Sequence, residues 1–174
     1  MADDKKEKWL NWLALSTLIF SAAATLGSSK AGGYSGKATT SQILASDQWA
    51  FFQAKSVKQH TYELQRDALT LQALNAPEAT QPKYKEATDR YSKSIAKYEG
   101  EKTEIKAKAE ELEKTRDSAS KFAGMFGKAV LYLQIGIMIS ALAALLKKRP
   151  LWWLSFLPGI TGLIYFINAM WLSR

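Results

Sequence analysis

His60 is the only histidine in the chain, and Glu63 and Asp67 follow it at three and seven residues. On a helix this spacing gathers the three on part of one face, where an imidazole and two carboxylates would form one edge of a transition-metal site. Acidic helix surfaces produce such triplets routinely, so the expectation is a solvated face with no metal. The chain has no cysteine, which excludes a disulfide framework, a thiolate nucleophile and every sulfur-rich metal site. A hydrolytic triad needs a buried serine and an oriented carboxylate, and no spacing indicates one. Gly32, Gly33 and Gly36 neither follow a strand nor open a dinucleotide-binding turn. The reading is therefore of a protein that is not an enzyme and carries no cofactor.

Lys55 and Lys58 lie beside Trp49, Phe51 and Phe52. Basic and aromatic residues together can grip single-stranded nucleic acid, lipid phosphates or an acidic partner. The formal charge of +8, from 24 Lys and Arg against 16 Asp and Glu, is spread along the chain and forms no basic arm. An excess of this kind is common beside membrane spans, so membrane lipids are expected as partners and nucleic acid is not.

The elements that would carry these residues follow from an uneven distribution of apolar side chains. Leu10 to Leu26 is apolar except for Asn11 and a few hydroxyls, and Trp9 and Trp12 stand where an interfacial anchor belongs. As a helix it reaches about 25 Å, near the short limit for a bilayer core. Ser21 to Ala24 would suit a signal protease, but Asp3, Asp4 and Glu7 neutralise the basic start, so an uncleaved anchor over 9–27 is expected. A second segment occupies 122–146, with Lys128 snorkelling near its start. Within it Gly136, Ser140 and Ala144 recur every fourth residue, a face on which another helix could pack closely. The third, 151–172, has Trp152 and Trp153 at one end and Trp171 about 28 Å further along. Pro158 and Gly159 should bend or weaken it. Only the basic turn 147–150 separates the last two segments.

Six basic residues fall on each side of the membrane: Lys5, Lys6, Lys8 and Lys147 to Arg149 against Lys30, Lys37, Lys114, Arg116, Lys121 and Arg174. The dense short turn decides this tie, because long connections translocate largely regardless of charge. The tail 1–8 and the turn are expected in the cytoplasm, and the region between the first two spans outside it.

That region reads as a flexible loop over 28–38, a first coiled-coil arm over 39–75, a hairpin turn at 76–82 and a second arm over 83–121. On the first arm Ile43, Ala50, Val57, Leu64 and Leu71 recur every seven residues, with Ala54, Thr61 and Ala68 between them. This is the expected seam. On the second arm Tyr84, Tyr91, Tyr98, Ile105, Leu112, Ala119 and Phe126 form one row; Thr88, Ile95, Ala109 and Ala123 form its companion, broken by Lys102 and Arg116. The fold class expected is an all-α membrane protein, three transmembrane helices with a long antiparallel coiled-coil hairpin between the first and second. Two helices bury little around them, so self-association is expected.

The stretch Ala45 to Lys58 resembles the signature of a family of uncharacterised bacterial membrane proteins. In these an acidic residue, a Trp, an aromatic or small pair and Gln-Ala-Lys follow an early span. Here those features are Asp47, Trp49, the Phe51–Phe52 pair, Gln53, Ala54 and Lys55, with Lys58 beyond. The resemblance implies a multi-pass protein of the bacterial inner membrane and no assigned activity. It makes Asp47, Trp49, Phe51, Phe52, Gln53, Ala54, Lys55 and Lys58 a candidate interaction surface, with a periplasmic hairpin and a possible envelope or membrane protein as a further partner. The function expected is a homo-oligomeric scaffold or adaptor; the alternative is a channel or transporter, or an accessory subunit of one.

Overall fold

A computed structural model describes the backbone of residues 2–173 and side chains from Lys8 to Ser173. The charged side chains of the first seven residues and Arg174, used above to weigh orientation, lie outside the described set. The fold is all-α: α1 (Ala2–Leu74), a 3₁₀ turn (Glu78–Thr80), α2 (Gln81–Leu146) and α3 (Arg149–Leu172). All three helices contain a stretch long and apolar enough to cross a membrane. The protein is thus a multi-span membrane protein. Two units are distinct in their contacts, one made of residues up to Thr39 and from Arg116 onward, the other Thr40–Thr115.

In the first unit the ends of α1 and α2 pack with α3. One core cluster joins Phe20, Ala23, Ala24 and Leu133, with Ile137, Phe156 and Leu163 against it. Another joins Trp9, Leu13 and Ala143, with Ala144, Leu151 and Trp152 beside them. Small residues set the spacing. A Cβ placed on Gly136 would stand 3.1 Å from the Gly159 Cα, and one on Gly162 would stand 2.8 Å from the Leu133 nitrogen. Such backbone approach is how membrane helices gain dispersion contact where lipid removes any hydrophobic drive to associate. Trp152 Nε1 donates to Ser16 Oγ at 3.1 Å, joining α3 to α1.

Residues 28–38, expected as a flexible loop, are part of α1. Gly27, Ala31, Tyr34 and Ala38 fall on one helical row and are buried or half-buried, while Gly32, Gly33 and Gly36 face outward. Tyr34 stacks on Phe126 at 5.9 Å and lies 5.3 Å from Phe122. Each glycine costs about 1 kcal/mol of helix propensity, and this ring packing offsets it. α3 is likewise unbroken through Pro158. Pro158 and Gly159 are buried there, with Gly159 under the ring of Phe20.

The second unit is two helical segments joined by a short turn. α1 ends where Pro77 takes an extended backbone, and Gln81 Nε2 donates back to the Ala73 carbonyl at 2.7 Å, satisfying an otherwise orphaned acceptor of the last turn. Paired residues descend on α2 as they ascend on α1: Trp49 with Glu113, Lys55 with Glu101, Tyr62 with Tyr91. The segments therefore run antiparallel. At the α2–α3 junction Lys147 adopts φ 53°, and the Lys148 nitrogen bonds the Ala143 carbonyl at 3.2 Å, closing the turn.

Candidate interaction surface

The face that α1 turns toward α2 in Thr40–Thr115 is not the seven-residue seam read from the sequence. Ala45, Trp49, Phe52, Ser56, Gln59, Tyr62, Arg66, Leu69 and Ala73 are buried or half-buried, whereas Ile43, Ala50, Val57, Leu64 and Leu71 are exposed, with Ala54, Thr61 and Ala68. Spacing of seven identifies residues that share a face; it does not identify which face meets the neighbouring helix. The second arm differs. Tyr84, Tyr91, Tyr98, Ile105 and Leu112 are half-buried and Ala109 is fully buried, so the row read there is the inward one.

The contact α1 makes is polar and paired. Trp49 Nε1 donates to Glu113 Oε1 at 3.0 Å while its ring meets Phe52 edge-on at 5.6 Å. Lys55 Nζ lies 2.5 Å from Glu101 Oε2 and 5.2 Å from the centre of the Tyr98 ring. Lys102 Nζ donates to Gln59 Oε1 at 3.0 Å and lies 5.3 Å from the Phe52 ring centre. Tyr62 is sandwiched between Tyr91 and Tyr98, each 5.6 Å away. Hydrogen bonding to Lys55 holds the Glu101 carboxyl below its usual range, and the same bond holds the Lys55 ammonium above its own. Glu63 is lowered first by the amide of Gln59 and then by His60. Lys102, which interrupts the companion row on the second arm, is the residue whose partners were not foreseen. A cation placed within an otherwise apolar row is the signal that could have found them.

The motif residues thus divide. Trp49, Phe52 and Lys55 contact α2; Asp47, Phe51, Gln53, Ala54 and Lys58 are exposed beside the outward stripe. In that stripe Val57 is 65% exposed, Leu64 72% and Leu71 65%. The proposed packing residues of the second span lie in the other unit. Gly136 is against Gly159 and Ser155, Ser140 is fully buried with no hydrogen-bond partner for its hydroxyl among the described residues, and Ala144 packs on the Trp9 cluster. His60 Nδ1 is 2.9 Å from Glu63 Oε2, and Asp67 pairs with Arg66 instead. Among the described residues no group of three His, Cys, Asp or Glu is placed to hold a metal ion.

No curated protein and no solved structure matches the chain. A family model, described as Domain of unknown function (DUF4337), matches residues 9–172. The chain belongs to that family.

Proposed function

We propose that this DUF4337 protein is a non-catalytic, homo-oligomeric membrane scaffold or adaptor. Its extramembrane helices form an antiparallel coiled-coil hairpin through which copies associate. The observation that carries this reading is the exposed row Val57, Leu64 and Leu71 in a segment otherwise rich in charge. A row of this kind in water favours being covered by protein. The reversed order of the contact pairs supports the hairpin. The basic turn Lys147 to Arg149 supports a cytoplasmic turn and N-terminus, with the hairpin on the periplasmic side of a bacterial inner membrane.

The test is the mass and subunit composition of the particle gently solubilised from its native membrane. A uniform multiple of the 19.4 kDa chain supports the reading. A single chain overturns it, and a fixed-ratio mixture with another protein makes the chain an adaptor without self-assembly.

A second reading, a channel or transporter subunit, draws on Gln134 and Asn168. Both are polar, lie within spanning segments and are exposed on the unit's own surface. Solute flux through the purified particle in liposomes, lost on Gln134→Leu, would favour it; sealed liposomes would exclude it.

A further inference from the structure

Seven large apolar side chains are exposed in Thr40–Thr115, and all seven are on α1: Ile43, Leu44, Phe51, Val57, Leu64, Leu71 and Leu74. The α2 part of the same unit exposes none; its outward positions are mostly Lys, Glu, Asp and Arg. Of the seven, Val57, Leu64 and Leu71 form one row along the helix, with the exposed Ala50, Ala54, Thr61 and Ala68 on the same face.

From these observations we infer that the outward stripe of α1 is the surface on which a second copy of this chain docks, stripe against stripe, in a parallel two-fold contact. This inference rests on the self-assembly proposed above and names its surface. Three features select a second copy. First, Ala50, Val57, Leu64 and Leu71 repeat at the interval that keeps a helical seam facing another helix, and Ala54, Thr61 and Ala68 occupy the intervening positions. Large and small layers then alternate, which allows close approach of two identical helices. Second, the flanks are nearly balanced in charge. Lys58 stands against Asp67, whereas a helix lying on lipid needs a basic rim. Third, with every copy inserted in the orientation proposed above, a stripe that pairs with itself in parallel needs no other chain.

Asp47 fixes where the contact stops. It occupies the position of the small row one heptad before Ala54. Two-fold pairing would bring two carboxylates together there, and like charges at such a layer repel. The contact therefore begins at Ala50 and extends through Leu71, a length of about 32 Å along the helix.

The absence of cysteine makes the test direct. Single Val57→Cys, Leu64→Cys and Lys93→Cys variants of the full chain are oxidised in intact membranes and compared with native particle mass. Disulfide-linked dimers from Val57→Cys and Leu64→Cys, with at least tenfold less from Lys93→Cys on the charged arm, are expected. Val57→Glu with Leu64→Glu should then reduce the particle to a smaller mass while leaving helix content unchanged. A native particle of several identical chains with no link at 57 or 64 overturns the stripe and leaves self-assembly standing. A single-chain particle overturns both. Equal linking at all three positions, or a second protein shielding the stripe, also overturns the two-fold contact.

Discussion

Both units of this protein expose large apolar side chains, but for different reasons. In the spanning unit Met138, Leu145 and Leu157 point outward, and lipid accounts for them. In Thr40–Thr115 Val57, Leu64 and Leu71 are exposed to a similar degree on a segment whose opposite helix is covered in charge. What lies inside differs as well. The spanning contact is made of glycine, alanine, leucine and rings, whereas the contact within Thr40–Thr115 adds Lys–Glu, Trp–Glu and Lys–Gln pairs to its aromatic rings. The lesson is that exposure has to be read together with what the hidden face contains. In Thr40–Thr115 the face of α1 turned toward α2 is polar and paired, while the face turned away from it is apolar.

The sharpest test of this contrast is one substitution made in both units. A Cβ on Gly159 would stand 2.2 Å from the Phe20 ring, and that ring is buried and edge-on to Phe156 at 6.0 Å. Gly159→Ala should therefore cost about 3 kcal/mol, the upper range for overpacking a tight core. Thermal unfolding in detergent measures it, and in a Phe20→Ala background most of the added cost should vanish. At Gly100 nothing lies within 4 Å of the new Cβ, so Gly100→Ala should stabilise by about 1 kcal/mol through helix propensity alone. Equal signs at the two sites would erase the distinction between the two kinds of contact.

Trp49→Phe asks whether the polar inner seam stabilises its unit. The variant keeps a ring against Phe52 and removes the N–H that reaches Glu113. Because both groups are only half-buried, a loss of about 1 kcal/mol in chemical unfolding is expected. Glu113→Gln keeps an acceptor in place and should cost less. A silent Trp49→Phe would mean that the seam is held by its tyrosines.

The three spans were legible because runs such as Leu151 to Leu172 leave no other use for so many apolar residues. The second arm was legible because its row of tyrosines and aliphatics is also its inward row. The first arm was misread for a chemical reason. Its inward row contains Gln59 and Arg66, residue types that ordinarily mark a solvated face, while its outward row has the composition of a core. The partners that reverse this, Glu101, Lys102 and Glu113, lie some 40 to 65 positions away in the chain, beyond the reach of any local pattern. The helix through 28–38 was hidden in the same way: the glycines are local, but the rings that hold Tyr34 belong to α2.

The smallest expected effect is the dependence of the outer seam on pH, and its sign follows from the shifts. Glu101 is held below the usual carboxylate range by its bond to Lys55. Its contribution is present above the ordinary value and is lost as the pH falls through the lowered one. Lys55 is raised by the same bond, so its contribution is present below the ordinary lysine value and is lost as the pH rises through the raised one. The pair thus acts throughout the range between the ordinary carboxylate and lysine values, roughly pH 4 to 10. Both side chains are partly exposed, so solvent and salt keep the contribution small. Helix melting of the full chain and of Glu101→Gln should differ by a constant margin at neutral pH. That margin should close as the pH falls through the lowered value of Glu101, where the carboxylate protonates. A margin that does not change with pH would mean that the charge of Glu101 plays no part, and the polar character of the inner seam would then rest on Trp49 and Lys102.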